Sequence, residues 1–193
     1  MSFIRSRLYP AVALLVLLTV LTGVVYPVVV WAVGQVAFHD QANGSLIVVD
    51  GKTVGSSLIG QAFSDPKYFW SRPSAAGKDG YDANGSAGSN LGPTSKDLID
   101  RISADVDKLR AANGGGPVPV DLVTTSASGL DPDISPASAE FQVARVAKAR
   151  GMSEDAVRAA VARHTDRPLF GFIGMPAVNV LELNLDLDGD LAH

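Results

Sequence analysis

The sequence predicts an α+β fold class, in which one N-terminal transmembrane helix precedes a single mixed α+β domain. A run of 31 residues, Leu8 to Phe38, has no charged side chain. The 155 residues after it suffice for one compact domain, and they mix β-rich segments with helical patterns. We expect a cytoplasmic tail at residues 1–7, a transmembrane helix at residues 8–38 and an extracytoplasmic domain at residues 39–193.

The uncharged run is long enough to span a bilayer, because about 20 helical residues cover a hydrocarbon core of ~30 Å. Tyr9 and Trp31 stand 22 residues apart, at the spacing of the two aromatic belts. A cleaved signal peptide would have a shorter apolar core, and a buried helix would carry a polar face. Pro27 predicts either a kink or end of this helix, or contact with a neighbouring membrane helix.

Basic residues indicate the orientation of the chain. Arg5 and Arg7 precede the run, and no Lys or Arg follows until Lys52. The positive-inside rule therefore predicts a cytoplasmic N-terminus and an extracytoplasmic C-terminal domain.

Composition excludes several classes of function. Of the 16 Lys and Arg residues, 14 follow the apolar run together with all 20 Asp and Glu residues, which gives a net charge of −6. This balance argues against nucleic acid and anionic lipid as partners. The chain has no cysteine, which excludes disulfides, thiolate metal sites and cysteine nucleophiles. A domain outside the cytoplasm that has no disulfides suits a bacterial cell-surface or periplasmic protein better than a small eukaryotic secreted one.

The first part of the domain is predicted to be a hairpin followed by loops. Residues 45–49 are β-rich, and Asp50-Gly51 favours a tight turn onto Thr53 and Val54. Residues 60–74 contain four aromatic side chains, which indicate either packing or a partner interface. Residues 75–92 have the composition of a linker, but a long loop inside a compact domain is more often functional.

Three helices and a final strand are predicted beyond this loop. The helices begin at Thr94 or Ser95, at Ser135 and at Ser153, each a favourable N-cap. Glycines after Asn113 and at position 151 end the first two. Residues 117–125 read as a β or extended segment. Leucines alternate with polar residues over 181–188, which predicts a strand. The first helix has an apolar face formed by Leu98, Ile99, Ile102, Val106 and Leu109.

Catalytic motifs are incomplete. His164 is the one histidine placed to act as a base, but its position at a helix end favours a structural role. Ser86 lacks the first glycine of G-x-S-x-G, and Gly51-Lys52-Thr53 lacks the glycine-rich phosphate loop. No residue cluster predicts a metal site. Two alternatives stay open: a membrane-anchored hydrolase that uses Ser86 or Ser128 with His164, and a surface binding module.

Seven blocks of sequence, taken in order, resemble the KdpC family, the C subunits of the bacterial high-affinity potassium-transporting P-type ATPase. The resemblance covers the membrane helix and essentially all of the domain. Two departures are visible: the family usually has His where this chain has Asp133, and Ser-Gly-Gly where it has Ser86-Ala87-Gly88. The blocks are Gly60–Phe63, Tyr68–Ala75, Gly88–Thr94, Pro117–Thr124, Ser126–Pro132, Ile134–Pro136 and Asn179–Asn184.

The resemblance implies a non-catalytic accessory subunit that assembles and stabilises the potassium-translocating subunit (KdpA) and the ATP-hydrolysing subunit (KdpB). Potassium would be the transported ion of the complex, and no cofactor would be held firmly. The resemblance also implies that the subunit raises the nucleotide affinity of the ATP-hydrolysing subunit through a ternary complex with ATP. The nucleotide-contacting candidates that the resemblance implies are Ser126, Ser128, Gly129, Asp131 and Gln142.

The predicted membrane orientation and the absence of a phosphate-binding motif both argue against nucleotide contact by these residues. ATP is inside the cell, the arginines place the domain outside, and no phosphate cradle is present. We therefore expect these polar blocks to organise the fold or the potassium entrance. Candidates for the interface with partner subunits are Pro27, Trp31, Phe69, Trp70, Arg72 and Asn90. Membrane lipid is a further expected partner of the chain.

Overall fold

A computed structural model of the chain describes residues 2–190. Its chain divides into two compact units, one up to Leu46 and one from Ile47. The helices are α1 (Ser2–Val20), α2 (Tyr26–Ala37), α3 (His39–Ala42), α4 (Lys96–Asn113), α5 (Pro136–Arg150), α6 (Glu154–Arg163) and α7 (Val180–Asp188). The strands are β1 (Leu46–Val49), β2 (Lys52–Ser56), β3 (Asp133–Ile134), β4 (Thr165–Asp166) and β5 (Ala177–Asn179).

The N-terminal unit is dominated by one long helix that is apolar enough to cross a membrane, Arg5–Ala37, with a mean hydropathy of 2.5. A π-helical turn, Leu21–Val25, joins α1 to α2 just before Pro27. Within it the Tyr26 N–H donates to Leu21 O, five residues back. Proline cannot donate the backbone hydrogen bond of a regular helix, and a wider turn before it accommodates this loss. The helix therefore continues through Pro27 and ends at Ala37.

The second unit opens with the predicted hairpin. β1 pairs with β2, and the turn residues Asp50 and Gly51 have φ values of 49° and 74°. Positive φ at both central residues is the geometry that an Asp-Gly pair favours. This prediction is confirmed.

Helix α5 lies at the centre of the hydrophobic core, with Val143 and Val146 fully buried. It packs against α4 and α6, and α6 packs against α7. The predicted caps are confirmed: Ser135 Oγ accepts from Ser138 N at 3.1 Å, and Gly151 ends the helix at a φ of 66°. The fully buried apolar side chains are Phe69, Ala76, Ala139, Val143, Val146, Val157, Val178 and Leu183.

A small antiparallel sheet, in the order β3-β5-β4, closes one side of this core. Asp133 faces Asn179 and Asp166 faces Ala177 across the central strand. The strands are two or three residues long, and a hairpin at residues 167–176 links the outer strand β4 to β5.

The predicted C-terminal strand is wrong, because residues 180–188 form helix α7. Asn179 Oδ1 accepts from Glu182 N at 3.1 Å and caps it. Val180 and Leu183 are buried at helical spacing, and leucine also favours helix. Nor do all carboxylates face water, since the Asp186 side chain is 2% exposed. The Asn179 cap and the burial of Val180 and Leu183 therefore stabilise a helix here, although the leucines alternate with polar residues as in a strand.

Two smaller expectations also need correction. The predicted extended segment 117–125 contains a 3-10 turn, Val120–Leu122. On α4, Leu109 is buried as predicted, but Ile99 is 54% exposed although it was placed on the apolar face. It lies in the first turn of the helix, whereas the side chains that pack against the core, Ile102, Val106 and Leu109, lie further along it.

Candidate functional site

The Gly- and Ser-rich loop is not a free linker, because it is hydrogen-bonded to the block that contains most of the nucleotide-contacting candidates. Ser128 O accepts from Ala87 N at 2.9 Å and from Ser86 Oγ at 3.0 Å. Gly129 O accepts from Ser74 Oγ at 2.6 Å. We call the two segments, residues 74–88 and 126–131, the loop junction.

Ser74 organises its side of the loop junction. Its hydroxyl also accepts from Ala76 N at 3.1 Å and from Tyr81 N at 2.8 Å. The Tyr81 hydroxyl in turn donates to Arg72 O at 2.7 Å, and burial raises the pKa of Tyr81 to about 12. The tyrosine therefore stays neutral and serves as a hydrogen-bond donor.

On the other side, Gly129 is required by close approach. It has a φ of 68°, and a Cβ atom there would lie 2.6 Å from Ala87 O and 2.8 Å from the Cβ and N atoms of Ala76. The neighbouring Ser128 hydroxyl accepts from Leu130 N at 3.1 Å and lies 3.5 Å from Ser126 Oγ. The Ser128 hydroxyl and the Gly129 backbone therefore both contribute to the structure of the loop junction.

Asp131 extends the loop junction to Arg72 through an ion pair of 2.5 Å. Its other oxygen accepts from Asp133 N at 3.1 Å. Arg72 and Trp70 also line a cleft of about 210 Å³ together with Tyr81 and Lys108. The structure thus brings two partner-interface candidates beside a nucleotide-contacting candidate.

Gln142 lies apart from this surface and is fully buried. Its Oε1 accepts from Trp70 N at 2.8 Å and from Arg145 Nη2 at 2.7 Å. Its Nε2 donates to Trp70 O and Ser138 O, each at 3.2 Å. All of the hydrogen-bonding capacity of a side-chain amide is used, which fixes the aromatic segment on α5.

Sequence reasoning missed Arg145, the charged centre of this arrangement. It is 9% exposed and donates to Pro66 O, Tyr68 O and Asn113 Oδ1 at 2.6, 2.9 and 2.9 Å. Its guanidinium lies 4.0 Å from the Trp70 ring centroid. Burial lowers its pKa to about 10. Its spacing of three from Gln142 on a buried helix is the signal that could have identified it.

The remaining partner candidates are scattered. Phe69 is fully buried, and its backbone N and O bond the buried Asn184 amide at 2.8 and 3.0 Å. Asn90 is exposed, with a φ of 52°. Pro27 and Trp31 are exposed on the long helix of the N-terminal unit.

The hydrolase alternative finds little support in the placement of its base. His164 Nε2 lies 3.1 Å from Asp186 Oδ2, and Nδ1 lies 3.8 Å from Glu182 Oε2. Ser86 and Ser128 are instead bound within the loop junction. Among residues 2–190, no group of three or more His, Cys, Asp or Glu side chains could hold a metal ion.

The carboxylate of Asp133 lies in surroundings that disfavour its negative charge. Partial burial raises its pKa to about 6, and the neighbouring carboxylates of Asp131, Asp166 and Glu182 add to the effect. Its ionised form is therefore disfavoured in the folded state.

Asp133→Asn should therefore stabilise the chain at neutral pH. The folded-state pKa lies above the ordinary value, so the wild type loses stability as pH rises from about 4 through 6. The group is only partly buried, so solvent screening limits the gain to about 1 kcal/mol at pH 7. Thermal unfolding at pH 4 and pH 7 checks this: the gain should appear at pH 7 and vanish at pH 4, and equal gains would contradict it.

Comparison with known proteins bears on this arrangement. Residues 8–189 match the family described as KdpC, K+-transporting ATPase, c chain. The chain belongs to the KdpC family. The match includes the long N-terminal helix, the loop junction and helix α7, so the family is defined over both units.

Curated relatives of this KdpC-family chain are similar over nearly their whole length, and each is named potassium-transporting ATPase KdpC subunit. The Koribacter versatilis protein is 56% identical over 185 residues, covering 96% of this chain and 95% of that protein. The Sorangium cellulosum protein is 59% identical over 186 residues, covering 95% and 98%. The Caulobacter vibrioides protein is 57% identical over 184 residues, covering 95% and 93%.

Proposed function

We propose that this chain is the accessory C subunit of a potassium-transporting P-type ATPase. It works with the potassium-translocating subunit (KdpA) and the ATP-hydrolysing subunit (KdpB), and potassium is the transported ion of the complex. The observation that carries the proposal is the family match across residues 8–189. The polar side chains of the candidate site are hydrogen-bonded within the chain itself, which supports a structural role for them.

Membrane topology follows from charge in this proposal. The helix Arg5–Ala37 anchors the chain in the bacterial inner membrane. Arg5 and Arg7 precede the helix, and basic residues that flank a membrane helix are enriched on the cytoplasmic side. The N-terminus is therefore cytoplasmic and the domain is extracytoplasmic. Its net charge of −6 after the apolar run raises the cation concentration near its surface, within a screening length of ~8 Å.

The role is non-catalytic and structural. Ser128 and Gly129 hold the loop junction, and Asp131 pairs with Arg72. Gln142 binds the backbone of the aromatic segment from inside the core. A nucleotide could reach this amide only by displacing bonds on which packing depends. We infer that these residues shape the subunit that docks on the pump and leave ATP to KdpB.

Deletion of the gene for this chain should abolish growth at very low external potassium and leave growth at high potassium unchanged. The reason is that the other pump subunits would lose the contacts that hold them together. The measurement is growth rate across a potassium series, with the whole chain restored from a plasmid as the control. Normal growth at low potassium with an intact pump in the deletion strain would contradict the proposal.

A further inference from the structure

One backbone carbonyl in the long apolar helix, that of Thr22, has no hydrogen-bond donor from the helix. A helix carbonyl accepts from the N–H four residues further on, or five residues further on in a π-helical turn. Four residues on, the Tyr26 N–H donates to Leu21 O instead. Five residues on is Pro27, which has no N–H. Within the described helix, the Thr22 carbonyl is therefore left without either regular partner.

The side chain of Thr22 does not supply the missing bond. Its hydroxyl donates to Leu18 O at 2.7 Å, one turn towards the N-terminus. A hydroxyl has a single hydrogen to donate. A donor for the Thr22 carbonyl must therefore come from outside this helix.

The depth of Thr22 in the membrane limits where that donor can come from. Thr22 lies near the middle of the segment Arg5–Ala37. At ~1.5 Å per residue it is about 22 Å from the nearer end, and a hydrocarbon core is ~30 Å thick in total. Lipid tails carry no N–H or O–H group, and a backbone carbonyl without a partner is strongly disfavoured among them. The surroundings thus select a protein donor.

The surface beside the carbonyl is open to a neighbouring helix. Gly23 follows it directly, and a Cβ atom added there would meet nothing within 4 Å. Thr19, four residues before Gly23, also has a small side chain, and Thr22 and Pro27 are exposed. Small residues at this spacing let the backbones of membrane helices approach closely. A side chain on a second helix can therefore reach the carbonyl.

We propose that the Thr22 carbonyl is an acceptor site for a transmembrane helix of another subunit of the same pump, which offers one hydroxyl or amide donor at mid-membrane depth. This inference rests on the proposed function. A second copy of this chain is disfavoured, because it would insert in the same direction and bring Thr22 to the same depth. The Thr22 hydroxyl is already donated to Leu18 O. Pro27 thus creates a recognition site in addition to altering the helix.

Solid-state NMR can observe this carbonyl selectively, because the dipeptide Thr-Gly occurs once in the sequence, at Thr22-Gly23. Threonine labelled with ¹³C at the carbonyl and glycine labelled with ¹⁵N give one directly bonded pair. A hydrogen bond moves a carbonyl ¹³C resonance downfield. In bilayers that contain the complete pump, the resonance should lie downfield of its position in the chain alone. Equal positions would overturn the proposal.

Pro27→Ala provides the reference for the bonded state. It restores an N–H to the helix, so the Thr22 carbonyl gains a donor within its own chain. Its resonance should lie downfield even without the other subunits. If the unsubstituted chain alone already shows this downfield position, water or a second copy supplies the donor, and the proposal is overturned.

Two pairs of variants test the contact itself. Pro27→Ala should reduce the other subunits retained on the tagged chain by about threefold or more, whereas Pro10→Ala, the same substitution near the N-terminal end of the helix, should not. Gly23→Leu should block the approach and reduce retention by about tenfold. Val25→Leu places the same side chain on the opposite side of the helix and should retain the subunits.

The outcomes separate this proposal from the proposed function. Full retention by both Pro27→Ala and Gly23→Leu would overturn the acceptor site. If the unsubstituted chain retains the pump subunits but its Thr22 resonance does not change on assembly, the acceptor site fails and the proposed function stands. If the unsubstituted chain retains no pump subunit, the proposed function itself fails, and the acceptor site with it.

Discussion

Gly129→Ala is expected to destabilise the chain by about 3 kcal/mol or more, combining overpacking with backbone strain. The new methyl group would lie 2.6 Å from a backbone oxygen and 2.8 Å from two further atoms, none of them at the end of a flexible side chain. The loop junction would have to separate. For a domain of this size we expect the midpoint of thermal unfolding, Tm, to fall by about 10 °C, measured by Trp fluorescence of the whole chain in detergent.

Gly151→Ala is the matched control for that experiment. Its φ of 66° is close to the 68° of Gly129, but a Cβ atom there would meet nothing within 4 Å. It carries the strain of positive φ without the collision, so a loss of about 1 kcal/mol is expected. If both alanine variants lose the same stability, the loop junction is not closely packed and its structural role is contradicted.

Arg145→Met is expected to have a comparable effect, about 3 kcal/mol or more, by removing the donor that joins three segments. Methionine keeps much of the side-chain volume, but Pro66 O, Tyr68 O and the Asn113 and Gln142 side-chain oxygens would each lose a charged donor. Buried acceptors without partners carry the full cost of desolvation. Trp70 would also lose the nearer of the two cations over its ring, Arg145 at 4.0 Å, and keep Lys108 at 5.5 Å, so its fluorescence should shift in the folded state.

Arg158→Met provides the contrast. Arg158 pairs with three carboxylates, Glu140, Glu154 and Asp155, but lies at the surface. Exposed ion pairs contribute little because water and salt screen them, so we expect its Tm to stay nearly unchanged. A larger loss for Arg158→Met than for Arg145→Met would contradict the assignment of Arg145 as the centre of the buried network.

Local signals in the sequence predicted much of the fold. Ser135, Ser153 and Gly151 each act on backbone groups within four residues, and the structure places each as the sequence indicates. The same holds for the Asp50-Gly51 turn. Such features depend on nearest neighbours, which a sequence displays directly.

What escaped prediction depends on contacts between distant residues. The leucines of α7 alternate as in a strand, but Asn184 has to reach the backbone of Phe69, 115 positions away, from a helix. Arg145 binds carbonyl groups 77 and 79 positions away. The hairpin at residues 167–176 has no regular periodicity, and the exposure of its apolar side chains is evident only in the folded chain.

We propose that the folded domain lies on the outer face of the membrane, and because the chain has no cysteine, single introduced thiols can report its position directly. Lys78→Cys introduces one exposed thiol in the domain, and Ser6→Cys introduces one before the apolar run. With a membrane-impermeant maleimide, Lys78→Cys should be labelled in intact cells, and Ser6→Cys only after the inner membrane is permeabilised. Labelling of Ser6→Cys but not Lys78→Cys in intact cells would place the domain beside ATP and contradict the account.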